Sequence, residues 1–460
     1  MTRLTTEEFA AWEDRTARQG TRLQRFVAGW AALGVTLSGA TQLRMEGLPA
    51  GLSELVLAAW LAFVAFLLLR GARVGTSRVF VVMTRYWLAQ LAILAFGAAV
   101  ALYFRRFNLE HAVYDGTAFI YIATLSAFLA LRLRDEDSYA YHWHFARLIF
   151  VFHALAGGLL LAVALATTQL GPIALWYGGI RFRGWAENPN QMALAMAAMP
   201  FLGWWLMRRA SRAFGKAACL AGIALCVAAG LATRSDGMRV AWVVALGAIG
   251  TVLFYRVSLR GRSRWLHISH VIIPALVVVA GAFFADDLIA QFSRIVEEVY
   301  AEGDQGEKRF ILWRHGLQVI SQSPLFGFGP GAFSGYGGPF QGREAHNSFI
   351  DWGMSTGTVG IAIYLSLLAW TMWCALRSGE TMPIAMLISV VMVSSFGYVL
   401  RQPDFWMVVV LVLILSEHAT GMRRSQPSQA VVEQGGRVWP PAARSAPHLD
   451  QTKAFDDQVS

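Results

Sequence analysis

A histidine near neutral pKa, set among arginines, is the equipment for taking a proton from a hydroxyl while an anionic group is held in place. The chain carries such residues in three separated segments. The first has Arg181 and Arg183, then Gly184 and Asn188-Pro189-Asn190. Arginine offers phosphate planar, bidentate donors. Asn188 and Pro189 are also ordinary helix-start chemistry. The second is Arg234-Ser235-Asp236-Gly237-Met238-Arg239. Ser-Asp-Gly makes a good turn, and its flanking arginines suit either anion binding or snorkelling at an interface. The third opens at Lys308-Arg309, with Trp313 four residues on and so on the same helix face. It continues through Ser323-Pro324-Leu325-Phe326-Gly327-Phe328-Gly329-Pro330-Gly331 to Ala345-His346-Asn347. The glycines permit tight turns and close backbone approach to a ligand. No Gly-Lys-Ser/Thr follows, so this is not a phosphate-binding P-loop. His346 is read as a base or as an amphipathic cap, and Asn347 as a group able to orient it.

Other titratable residues assemble no metal site. His142 and His144 read as an inner loop beside Trp143, and His267 and His270 as an inner helix end. Asp286-Asp287 fits either metal-dependent chemistry or a solvated helix end. Cys219, Cys226 and Cys374 all lie in apolar runs and read as small core residues. The expectation is a site with no metal and no cofactor.

These segments need a scaffold, and composition names its class. Of 460 residues, 56% are hydrophobic and 15% charged, and mean hydropathy is +0.47. Soluble domains carry about 25% charged residues, so a soluble enzyme is excluded. Apolar runs of about 20 residues indicate an all-α polytopic membrane protein. About twelve spans are expected, near 26–43, 48–69, 79–104, 116–133, 148–168, 191–207, 217–233, 240–255, 267–285, 347–376, 383–400 and 405–419. Bases concentrate in alternate short loops, such as Arg208, Arg209, Arg212 and Lys216. The positive-inside rule then puts both termini in the cytoplasm and the three segments outside. It also accounts for the net charge of +10 without nucleic acid. Residues 1–25 read as a cytoplasmic segment, 26–421 as the membrane domain and 422–460 as a disordered cytoplasmic tail. The long outer loop 286–346 is expected to carry short amphipathic helices around 294–300 and 310–320.

Together the segments resemble the O-antigen ligase and polymerase superfamily of bacterial envelope proteins. The resemblance rests on Arg181-x-x-Gly184 with Asn188-Pro189-Asn190, on Arg309-x-x-x-Trp313, on Pro324 to Gly331, and on His346-Asn347 followed by Gly357 and Gly360. It covers 181–190 and 309–360. Many members have Ser-Arg-Gly between spans seven and eight; here Ser235-Asp236-Gly237 stands there, with arginines displaced to 234 and 239. The resemblance implies glycosyl transfer at the periplasmic face of the bacterial inner membrane. The donor would be an undecaprenyl-diphosphate-linked glycan and the acceptor lipid A–core or another glycan, with no metal. His346, Arg309 and Arg181 would be catalytic. Arg183, Asn188, Asn190, Arg234, Arg239, Trp313 and Asn347 would bind substrate. One dominant outer loop and the His-Asn spacing favour a ligase over a polymerase. A transporter is a third reading, but polar residues gather at one face rather than at mid-span, where charge is expensive and kept for function.

Overall fold

The computed structural model describes residues 22–44, 51–71, 74–75, 77–133, 138–260, 305–334 and 342–425. The chain is an all-α polytopic membrane protein. Its helices are α1 (Arg22–Leu37), α2 (Leu52–Leu69), α3 (Arg78–Tyr103), α4 (Leu109–Leu129), α5 (Ser138–Ala166), α6 (Pro189–Ala197), α7 (Met199–Met207), α8 (Ala213–Ala232), α9 (Asp236–Arg260), α10 (Gln305–Gln322), α11 (Ser348–Ser378), α12 (Met382–Ser394) and α13 (Pro403–Ser425). Among the described residues, eight helices are long and apolar enough to cross a membrane. They correspond to expected spans two, three, four, five, seven, eight, ten and twelve.

Three expected spans differ. α1 has only 16 residues, and α12 only 13. The sixth is two nine-residue helices, α6 and α7, parted at Ala198 with Pro200 just beyond. Proline removes a donor and crowds the preceding turn. The indole of Trp242 donates to the Ala197 carbonyl beside the break, at 2.9 Å. The ninth span, at 267–285, lies outside the described residues, as do the segment 294–300, Asp286, Asp287 and most of both terminal segments.

α13 is the axis of the bundle. From Phe405 to Leu415 its sequence is apolar all round, and 83% of its span is buried. A helix with no polar stripe belongs at the centre. α11 packs on α13, α3 and α10, while α1 packs on α5 and α2, and α9 on α12. Small contacts let these helices close up. Outward, Leu69, Leu165 and Phe214 are more than four-fifths exposed, as lipid-facing residues must be.

Two boundaries move for local reasons. α4 begins at Leu109, earlier than expected, because Asn108 caps it through the His111 amide. α5 begins at Ser138, so His142 and His144 are not loop residues. They are buried on the first turns of α5, at 2% and 8% exposure, within its aromatic run.

Segment 169–182 forms two tiny hairpins. β3 (Gln169–Leu170) pairs with β4 (Ile173–Ala174), and β5 (Trp176–Tyr177) with β6 (Arg181–Phe182), both antiparallel. A third pair joins β1 (Val74–Gly75) to β2 (Arg132–Leu133) at the other end of the bundle. Gln42 pins the 169–186 segment. Its Nε2 faces the carbonyls of Ala174, Gly184 and Ala186, and its Oε1 accepts from the Ala174 amide.

The glycine-rich stretch 324–331 has a structural task. α11 is broken at Gly357, which has φ 62° and ψ −166°. The break frees helix groups that the stretch then satisfies. Phe328 N donates to Met354 O at 2.8 Å and Gly329 N to Ser355 O at 2.9 Å. Thr358 N donates to Pro324 O at 2.7 Å. A Cβ on Gly357 would lie 2.4 Å from the Leu325 carbonyl. Close backbone approach was expected here, toward a ligand. The partner is instead the chain's own helix, because broken-helix groups inside a membrane protein must find internal partners.

Candidate functional site

One end of the bundle collects the end of α8, the start of α9, the β5–β6 hairpin, the start of α6, α10 and the start of α11. Arg181 sits on β6. Its Nε donates to the Thr233 carbonyl at the end of α8, and its Nη2 to Asn190 Oδ1, both at 3.1 Å. Asn188 caps α6 by accepting from the Asn190 amide at 2.9 Å. The Asn-Pro-Asn motif thus divides its work: Asn188 starts the helix, Pro189 occupies its first position and Asn190 aims Arg181.

Arg309 stands on α10, partly buried, with no hydrogen-bond or ion-pair partner among the described residues. Removal from water lowers its pKa, the Arg181 charge lowers it further, and Asp236 acts against both. Arg181 is likewise lowered by burial, with Asp236 the main opposing charge. The two guanidinium groups therefore lie within reach of each other's field, and Asp236 is the acid they share. Asp236 is itself engaged by Arg239 at 3.2 Å. Two half-buried cations sharing one occupied carboxylate form a site short of negative charge. That shortage leaves the pair open to an anion.

Of the two, Arg309 is the one whose charge reaches His346. Its backbone is left-handed, at φ 53°, which non-glycine residues seldom adopt. Such strain persists only where surroundings enforce it, and it gathers at functional sites. The enforcing contacts are explicit. Buried Asp351 accepts from the Ala345 amide at 2.7 Å and from the Asn347 amide at 3.0 Å, one on each side of His346. The Trp313 indole donates to the Ala345 carbonyl at 2.9 Å. His346 keeps an exposed edge, yet its imidazole pKa is lowered from the usual histidine range. Partial burial is the main cause, followed by the charges of Arg309 and Arg343. The ring is consequently biased toward the neutral form that accepts a proton.

Several expected substrate contacts have other tasks. Asn347 caps α11: its Oδ1 accepts from the Phe349 and Ile350 amides. Trp313 is half-buried, and its indole holds the Ala345 carbonyl. Arg183 is spent on the carbonyls of Ala174 and Glu187 and lies over the Tyr177 ring. Arg239 pairs with Asp236. Arg234 differs: it is exposed, without a partner among the described residues, and left-handed at φ 50°.

Sequence reasoning missed Asp351, Gln42 and the Arg401 network. Arg401, just before α13, pairs with both Asp115 and Glu344, and Asp115 also accepts from the Gly331 amide at 2.9 Å. Glu344 stands two residues before His346. An acid four residues after an asparagine helix cap was the visible clue to Asp351.

No curated protein matches the chain at a significant level. Residues 221–365, from within α8 to within α11, match the family model described as O-Antigen ligase. Arg181 lies before this stretch, which contains Arg234, Arg309, His346 and Asp351, and the match supports the likeness to the O-antigen ligase superfamily.

Proposed function

We propose that the protein moves a glycan from undecaprenyl diphosphate to an acceptor hydroxyl, lipid A–core in the ligase reading, at the periplasmic face of the bacterial inner membrane. The convergence of Arg181 and Arg309 beside a strained, neutral-biased His346 carries the reading.

In this scheme the acceptor hydroxyl gives its proton to the His346 imidazole. The acceptor oxygen bonds to the anomeric carbon as the bond from that carbon to the diphosphate oxygen breaks. The diphosphate leaves with the electron pair. Arg309 and Arg181 meet its growing negative charge as fixed donors, which need no reorganisation during the step. Guanidinium groups supply the charge, so the scheme requires no metal. Direct attack inverts the anomeric carbon. Arg234 is the further exposed cation available to the diphosphate, while Asn190, Asn188 and Arg183 hold Arg181 and its loop.

The test is turnover by the purified protein in detergent, given undecaprenyl-diphosphate glycan with and without lipid A–core. One product that requires lipid A–core is expected. A ladder formed without it would make the protein a polymerase. Absence of both products, with uncoupler-sensitive transport in vesicles, would make it a transporter. His346→Ala should lower turnover about 10²-fold or more, the usual scale of a general base. Full activity in that variant would remove His346 from the mechanism.

A further inference from the structure

The end of the bundle opposite His346 holds a second cationic feature that the transfer scheme leaves unused. α5, α7 and α8 enclose a groove of about 450 Å³. Trp143, Phe150, Leu206 and Phe214 give it apolar walls, and Arg147 of α5 and Arg212 at the start of α8 also line it. Both arginines are exposed, and neither has a hydrogen-bond or ion-pair partner among the described residues. Their neighbour Arg209 shows the contrast: it pairs with Glu380 at 3.1 Å and lies 3.8 Å over the Trp205 ring.

Depth is set by the helices. The apolar span of α5 starts at Ala140, α7 ends at Met207 and that of α8 starts at Ala213. The groove therefore lies where hydrocarbon gives way to headgroups. Trp143 and Trp205 pack there with ring centroids 5.3 Å apart, both buried behind the groove. Toward the bilayer centre, Leu155 of α5 and Leu220 of α8 are exposed to lipid, at 59% and 57%.

We infer that this groove binds an anionic phospholipid. The phosphate lies between Arg147 and Arg212, and an acyl chain runs past Phe150 toward Leu155 and Leu220. Charge complementarity selects the headgroup, as in basic pockets between membrane helices. A zwitterionic lipid brings its own cation to the arginines and gains less.

Native mass spectrometry of the full chain in detergent, titrated with phosphatidylglycerol or phosphatidylcholine, tests this. At roughly fivefold per arginine, phosphatidylglycerol should be preferred about thirtyfold. Arg147→Ala with Arg212→Ala should abolish the preference, and Arg147→Lys with Arg212→Lys should keep most of it. High salt should weaken the preference in the unaltered protein, a check that needs no folded variant. Equal binding of the two lipids, or a preference that survives the double alanine variant, would overturn the inference. Competition by inorganic phosphate as strong as by the lipid would also overturn it, because the acyl chain would then contribute nothing. So would a second copy of the chain displacing lipid from the groove.

Discussion

Arg309 and Arg401 both bear on the His346 loop, the first through its charge and the second through Glu344, and they are used in opposite ways. Arg401 is satisfied: Asp115 and Glu344 take its guanidinium, and the Tyr114 and Tyr398 rings lie 5.5 and 4.7 Å from it. Arg309 has no such partner among the described residues and feels the repulsion of Arg181. A charge paired in the folded chain holds the chain together. A half-buried charge left unpaired beside another cation costs stability, and an anionic substrate can repay that cost. The two arginines thus separate what stabilises the loop from what the loop serves.

The largest expected effect falls on the paired side. Arg401→Met strands Asp115 and Glu344, and losing one member of a buried ion pair costs about 3–5 kcal/mol. Thermal unfolding in detergent should show a markedly lower Tm. An unchanged Tm would erase the comparison.

Arg309→Met should do the reverse. Loss of a fixed charge facing a leaving group is expected to lower kcat about 10²–10³-fold, with no fall in Tm. If Tm dropped as far as in Arg401→Met, Arg309 would belong to the structural class.

Asp351→Asn probes the clamp between the two regions. Asparagine offers one acceptor oxygen where the carboxylate receives two amides. The His346 loop loosens, and misplacement of a base costs rate rather than binding. A kcat about tenfold lower with KM nearly unchanged is expected. An equal rise in KM would mean that Asp351 shapes the binding surface instead.

A smaller effect concerns pH. Burial, Arg309 and Arg343 disfavour the imidazolium of His346, so its pKa lies below the usual range. Activity needs the neutral ring, so the acidic limb of kcat/KM should fall below about pH 6.5, the unperturbed histidine value. Arg343→Gln removes a positive charge, raises the His346 pKa and moves that limb to higher pH. A limb that stays in place would show that the base is another group.

The least effect is expected at Gln42. Replacing it with leucine leaves the Ala174, Gly184 and Ala186 carbonyls without their shared donor. A loss of about 1–3 kcal/mol follows for unsatisfied groups. Unaltered Tm would show that water takes over the contact.

Spans with a long apolar run were legible, because hydrocarbon thickness fixes their length. α10 was legible too, from the apolar spacing of Phe310 to Ile320. The short elements were not. Two-residue strands at 169–182 have no period to read, and α12 at 13 residues resembles a full span once its flanks are counted. His142 and His144 read as loop residues because polar and aromatic side chains hide the start of α5. Among candidate site residues, types and order were readable, and tasks were not. Asn347 and Trp313 read as contacts to substrate, yet their hydrogen bonds go to backbone.

By itself the sequence determined a polytopic helical membrane protein, since so much apolar surface has no other stable place. It also determined the motif order from Arg181 to His346, because residue type and spacing are local facts. Tertiary contacts set which arginine is paired and which has no partner among the described residues, hold His346 in a left-handed backbone through Asp351 and Trp313, and seat the glycine stretch in a broken helix. Each of those depends on hydrogen bonds and charges between segments far apart in the chain, and local pattern holds no record of such partners.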